Sequence, residues 1–270
     1  MLKINHLSIS FSDRGVLDEA VKDVSFSMKE GEILGIVGES GSGKTLTALM
    51  VAGLLKGNAS LDAGEILLDK VNLLSLTKKE WREYQGNKIS MIFQEPMTAL
   101  NPTMKIGRQV EEALLLHTKM SKAERRKLAL EALEDVELEN VEELYHKYPH
   151  ELSGGMRQRV MIASAVISRP KLLIADEPTT ALDVNTQESI IQLLKKLNQK
   201  YKVGILFISH NLRVVKSLCE NVLVMKDGCI IEKGRADEIF AYPQEEYTKQ
   251  LINAIPTRTQ HNKYYELLMK

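Results

Sequence analysis

Gly38-Glu-Ser-Gly-Ser-Gly-Lys-Thr45 lies between Glu32-Ile-Leu-Gly-Ile-Val37, a short apolar run with β-branched members, and Leu46 to Leu55, which is helical in composition. Gly38, Gly43, Lys44 and Thr45 fill the GxxxxGK(S/T) pattern. In that pattern successive backbone N–H groups, here of Glu39, Ser40, Gly41 and Ser42 among others, wrap phosphates while the lysine reaches the terminal ones. The threonine hydroxyl then holds magnesium. Strand, loop and helix follow in the required order, with the helix N-terminus aimed at the anion. The same glycines could form only a structural turn, but the flanking strand and helix argue for phosphate binding. Further on comes Leu152-Ser-Gly-Gly-Met-Arg-Gln-Arg159, then an apolar run ending in Asp176-Glu177.

Composition narrows the remaining possibilities. The 270 residues are 44% hydrophobic, enough for a sizeable core, and Lys plus Arg and Asp plus Glu are both 36. A formal net charge of zero gives no general attraction to nucleic acid, so no nucleic-acid partner is expected. Met1 to Leu7 lacks a signal-peptide pattern, and no apolar run approaches the length of a membrane span, Val160 to Ile167 being among the longest. A soluble chain is expected, linked to a membrane only through partners. Cys219 and Cys229 match neither a metal site nor a disulfide framework and are read as packing residues.

The texture changes along the chain. Ile4 to Phe11, Val21 to Met28, Glu32 to Val37, Gly64 to Leu68 and Ile89 to Phe93 read as strands. From Ile106 to about Leu144 the apolar residues recur at threes and fours amid dense charge. The mixed-sign run from Lys122 to Glu143 reads as a solvated helix pair. Strands return at Leu172 to Ala175, Gly204 to Ser209, Asn221 to Met225 and Cys229 to Glu232, with a helix from Val184 to Lys200 between them. The pattern predicts an α/β core, interrupted by a helical insert and preceded by an antiparallel β subdomain.

Chemistry collects at the strand ends. Asp176, closing a buried strand, can hold magnesium beside Thr45. Glu177 stands where a carboxylate could polarise a water for in-line attack on the terminal phosphate, although Asp-Glu-Pro also suits a plain strand-ending turn. Gln94 follows another strand and could reach the metal or the water. His210 follows Gly204 to Ser209, where an imidazole could contact the transferred phosphate.

With these motifs in this order, residues 1–235 resemble the nucleotide-binding subunits of ATP-binding-cassette (ABC) transporters. The resemblance implies an ABC-type P-loop ATPase fold for 1–235, a helical subdomain inserted at about 95–168, and a short C-terminal extension over 236–270. It implies ATP and Mg2+ as ligands and Phe11 stacking on adenine. Ser153, Gly154 and Gly155 of the signature would touch ATP held by an opposite subunit, and Ala181-Leu-Asp183 would form the loop pairing the two, with Asp183 in it. His210 takes the place of the switch histidine and Gln94 that of the glutamine loop. A soluble ABC ATPase shares these motifs, but its ribosomal members carry two cassettes per chain and its DNA-repair members insert long coiled coils. A P-loop kinase would not need the signature.

Phe93-Gln-Glu-Pro-Met-Thr-Ala-Leu-Asn-Pro102 and Gly234 to Leu251 are similar to the branch serving bacterial importers of oligopeptides, dipeptides and nickel. That branch implies a second related ATPase subunit or a second copy, two integral membrane permease subunits, an extracytoplasmic solute-binding protein, and a peripheral position on the cytoplasmic face of the membrane. The tail has no cysteine, so the iron–sulfur centre proposed for longer peptide-transporting members is not expected, and the short tail leans toward the nickel group. Pro96 to Met104 and the start of the helical insert would line the groove that takes a permease helix, where Met97, Leu100 and Met104 suit an exposed apolar docking face, with core packing an equal explanation for any one of them.

Overall fold

The computed structural model describes residues 1–254, apart from 14–15, 56, 58, 96–98 and 181. β1 (Leu2–Asp13), β2 (Val16–Met28), β4 (Ala59–Leu68) and β5 (Val71–Asn72) form an antiparallel sheet in the order β2-β1-β4-β5. Leu2, Ile4, Leu7 and Ile9 are all buried although their spacing breaks strict alternation. A bulge resolves the conflict. The register shifts between Ile4 and Leu7, and His6 and Asp23 take positive φ of 49° and 50°, so one extra residue is absorbed and the apolar face is recovered.

The second sheet has the order β10-β9-β3-β8-β7-β6. It is built from β3 (Ile33–Val37), β6 (Ile89–Ile92), β7 (Leu172–Asp176), β8 (Gly204–Ile208), β9 (Asn221–Lys226) and β10 (Cys229–Arg235). All neighbours are parallel except β9 and β10. Every residue of β3, β7 and β8 is buried, as expected of parallel strands covered on both faces. Alternate residues serve the two layers: Leu34, Ile36, Leu172, Ile174, Leu206 and Ile208 pack with the antiparallel sheet, and Ile33, Val37, Leu173, Ala175, Ile205 and Phe207 with the helices opposite.

The parallel register aligns the strand ends. Ile36 faces Ile208, Asp176 faces Ile208, and Ile92 faces Ala175. The residues that follow β3, β6, β7 and β8 therefore emerge along one edge, the carboxyl edge where α/β sheets bind ligands.

Between β6 and β7 lie α3 (Ile106–Val110), α4 (Glu112–His117), α5 (Lys122–Asp135), α6 (Val141–Leu144) and α7 (Gly154–Val166); α1 is Lys44–Val51 and α2 is Lys78–Trp81. The charged run from Lys122 begins with a capping box, the Ser121 hydroxyl accepting from Glu124 N and the Glu124 carboxylate from Ser121 N. This helical segment is tied to α8 (Val184–Tyr201) by ion pairs Lys200–Asp135 and Lys196–Glu137 and by Arg159, which donates to Ser189. Then come α9 (Leu212–Leu218), α10 (Ala236–Ala241) and α11 (Glu246–Asn253).

The structure chooses between the two readings of Leu100. Leu100 is buried in the core shared with the helical segment, packed rather than presented. Met104 is half-buried, and Pro96 and Met97 lie outside the described residues. Cys219 is buried in the core, where burial pushes its thiol pKa up, and Cys229 is half-buried; both are free thiols.

Candidate nucleotide site and partner face

The loop leaving β3 turns at two glycines where a side chain has no room. Gly38 has φ 151°, and a Cβ there would sit 2.1 Å from the Met225 carbonyl oxygen; Gly43 has φ 96°, and its Cβ would sit 2.8 Å from the Ala20 carbonyl oxygen. The loop is thus seated between the end of β9 and the start of the β2 core. Glu39, Ser40 and Gly41 are exposed, whereas Ser42, Gly43 and Lys44 are buried. Lys44 Nζ donates to the carbonyl oxygens of Gly38 and Glu39 at 2.9 and 2.6 Å and to Ser42 Oγ at 3.2 Å. Burial draws the Lys44 ammonium below the usual lysine range, opposed by the carboxylates of Glu177, Asp176 and Glu39.

Thr45, at the start of α1, donates from Oγ1 to Asp176 Oδ1 at 3.2 Å. Burial at the end of β7 raises the Asp176 carboxyl, the Thr45 hydrogen bond lowers it, and neighbouring Glu177 raises it further. Glu177 sits at φ 46° directly before Pro178, where an extended backbone is normal. The left-handed turn is held by Glu177 N–H donating to Ile208 O at 2.9 Å. Strain of this kind gathers at functional sites. The Glu177 carboxylate is the hub: Oε2 accepts from Gln94 Nε2 at 3.2 Å and Thr180 Oγ1 at 2.9 Å, and Oε1 pairs with His210 Nδ1 at 3.0 Å.

Lys44, Thr45, Gln94, Glu177, Thr180 and His210 line one cavity of about 620 Å³. Phe11 lies near the end of β1, half-buried and paired with Asp18, and does not line it.

The signature is elsewhere. Ser153 caps α7, its Oγ accepting from Met156 N, and Gly154 opens onto free space. Ser153 and Gly155 line a second cavity of about 630 Å³ with Arg159 and Thr186, which shares no lining residue with the first. Asp183 caps α8, accepting from Asn185 N and Thr186 N at 3.1 and 3.0 Å. Within one chain the signature and the phosphate loop do not meet.

Two residues unmarked in the sequence also reach the site. Thr180 is a polar residue three places after Glu177 in the turn, a spacing that could have signalled it; Tyr247 comes from 208 residues away with no local signal, and its hydroxyl accepts from Glu39 N–H at 3.0 Å, so this amide, expected from the sequence to wrap phosphate, is already engaged.

This is the architecture of an ATP-hydrolysing cassette. The ABC transporter family matches residues 21–180, and the chain belongs to that family. It is 46% identical over 258 residues to the dipeptide transport ATP-binding protein DppD of Lactococcus lactis, across 95% of this chain and 74% of that one. It is equally 46% identical over 258 residues to the oligopeptide transport ATP-binding protein OppD of Bacillus subtilis, across 95% and 72%. Among solved structures, a dimeric ATP-binding cassette in a post-hydrolysis state with ADP and Pi superposes with TM-score 0.78 at 34% identity, covering 87% of this chain and 99% of that one. The cbiO1 subunit of Clostridium perfringens, part of an ABC transporter complex, gives TM-score 0.77 at 29% identity, covering 97% and 98%. The chain is an ATPase whose hydrolysis is coupled to transport.

Proposed function

We propose that this chain powers the import of short peptides from the cytoplasmic face of the membrane, beneath two permease subunits, with cargo delivered by an extracytoplasmic solute-binding protein. The observation that carries the reading is the separation of Ser153 and Gly155 from the cavity around Lys44, since each half-site then needs a second subunit. A second related ATPase, or a second copy, would complete both sites head to tail. Cargo is taken from the relatives, named for dipeptide and oligopeptide transport along nearly the whole chain. Nickel remains as another cargo of the branch that residues 93–102 and 234–251 resemble.

The chemistry follows from the cavity. Lys44 exchanges the Gly38 and Glu39 carbonyls for phosphate oxygens, while the loop amides and the start of α1 hold the remaining negative charge. Thr45 and Asp176 would hold magnesium. Among the described residues no three His, Cys, Asp or Glu side chains converge on a protein-built cage, which fits an ion that keeps waters and phosphate oxygens and takes few side chains. When bound, the ion offsets charge on the transferred phosphate. Glu177 accepts a proton from the attacking water, Gln94 and Thr180 fix its carboxylate, and His210, paired with Glu177, would contact the terminal phosphate. Phe11 is the proposed adenine contact, Asp183 the proposed dimer-loop residue.

The permease contact is assigned to a groove of about 290 Å³ lined by Leu54, Phe93, Leu100 and Met161. Phe93 and Leu54 are exposed at its rim, Leu115 and Leu116 on α4 are more so, and no described helix is long and apolar enough to cross a membrane. Co-expression with the permeases tests this. Phe93→Asp should abolish co-purification and leave ATP binding by the free chain within about twofold, because a buried unpaired carboxylate at an interface is costly. Normal assembly of the variant would remove the groove from the reading. Stimulation of the ATPase by nickel-loaded, and not peptide-loaded, binding protein would change the cargo.

A further inference from the structure

The segment after β10 folds back onto the phosphate loop. Glu232 on β10 accepts hydrogen bonds from Gln244 N and Glu245 N at 2.8 and 3.2 Å, fixing the start of α11. Tyr247, in the first turn of α11, is only 8% exposed, and Lys226 Nζ at the end of β9 lies 4.9 Å from its ring centre. Its hydroxyl oxygen accepts the Glu39 N–H at 3.0 Å.

That N–H belongs to the peptide group whose other end is the Gly38 carbonyl, and that carbonyl accepts Lys44 Nζ at 2.9 Å. One peptide plane is therefore held on one side by the phosphate-binding lysine and on the other by the tail tyrosine. Gly38 adds no side chain to hold the plane, and at φ 151° it occupies a backbone region that L side chains rarely adopt. We propose that Tyr247 is a positioning residue for the phosphate loop, bracing the Gly38–Glu39 peptide so that the loop and Lys44 are set for nucleotide before it arrives. The benefit is preorganisation, which appears in affinity for ATP rather than in the chemical step. Tyr247 does not line the phosphate cavity, so it acts only through Glu39.

The proposal rests on the loop holding ATP, which Lys44→Ala tests separately: unchanged ATP binding in that variant would refute the nucleotide site whatever Tyr247 does. The decisive variant is Tyr247→Phe in the full chain, which keeps the ring beneath Lys226 and removes only the acceptor. Measured in the assembled transporter, KM for ATP should rise about two- to tenfold, the equivalent of one ordinary hydrogen bond, with kcat within about twofold. In the free chain the Glu39 amide should exchange with solvent faster, while Tm falls by no more than about 4 °C, the shift that one hydrogen bond allows. Parent-like KM and Glu39 protection would overturn the proposal. So would a loss confined to Tyr247→Leu, or one in which stability and kcat fall together, because either would reduce the tail to packing.

Discussion

Glu177→Gln separates the charge of the proposed base from its shape. The carboxylate has two oxygens with different surroundings: among the described residues Oε2 accepts from Gln94 Nε2 and Thr180 Oγ1, and Oε1 meets His210 Nδ1. A glutamine in the same rotamer places its carbonyl toward the two donors and its NH2 toward His210. Two of the three contacts survive unchanged. The third survives if the imidazole moves its proton to Nε2 and accepts at Nδ1. The cost in stability should stay within about 1 kcal/mol, the net value of one such bond. The cost in turnover should be far larger, because a positioned general base contributes about 10²- to 10⁴-fold, or roughly 3 to 5 kcal/mol of barrier. Phosphate release by the purified complex, ATP binding and imidazole NMR give the three readouts. Binding should be retained and an ATP-bound closed dimer should accumulate. Turnover within about tenfold of the parent, in a folded variant, would refute Glu177 as the base.

Asp176→Asn should raise the Tm of the nucleotide-free chain at pH 7 and weaken its stabilisation by Mg-ATP. The Asp176 carboxyl is raised in the folded chain, mainly by burial, so the stability linked to its proton is complete below the ordinary carboxylate range near about 4 and lost as pH rises through the folded value. The gain from Asn should therefore shrink as pH falls toward about 4, and equal Tm values at neutral pH would contradict it. Ser153→Arg should leave this chain's own ATP affinity within about twofold and cut turnover of the complex at least about tenfold. Ser153→Asp keeps the α7 cap yet sets a carboxylate toward the partner's phosphates, so it should fail in turnover while matching the parent in stability. ATPase activity of the isolated chain should rise more steeply than linearly with concentration, and a fully active monomer would exclude shared sites.

The parallel core was legible because buried strands announce themselves as apolar runs. Leu172 to Ala175 and Gly204 to Ser209 each fall within one residue of the observed strands. The antiparallel strands were less legible: β1 starts at Leu2 and β2 at Val16, two and five residues before the starts read from the sequence, and the bulge at His6 and Asp23 breaks the period of two within each strand. At the site, Lys44 and Thr45 were read from the GxxxxGK(S/T) pattern and Gln94, Asp176, Glu177 and His210 from their places at strand ends, and the six side chains lie together. Leu100 stayed undecided because an apolar residue in a Pro-flanked loop looks the same in sequence whether it faces solvent or a helix core. Tyr247 left no trace, since a single long-range hydrogen bond carries no periodicity.

The central position of β3 has a consequence for how the chain is made. β3 ends at Val37, but its two neighbours, β8 and β9, begin at Gly204 and Asn221. Roughly 170 residues separate the strand from its first partner, so at about 5–20 residues per second a five-residue, wholly apolar segment waits some ten to thirty seconds for a mate during synthesis. Throughout that interval the amino-terminal half exposes an unpaired apolar edge, the kind of surface that chaperones cover and that otherwise aggregates. A ribosome stalled before residue 204 would release a chain that has its phosphate loop but no sheet on which to seat it.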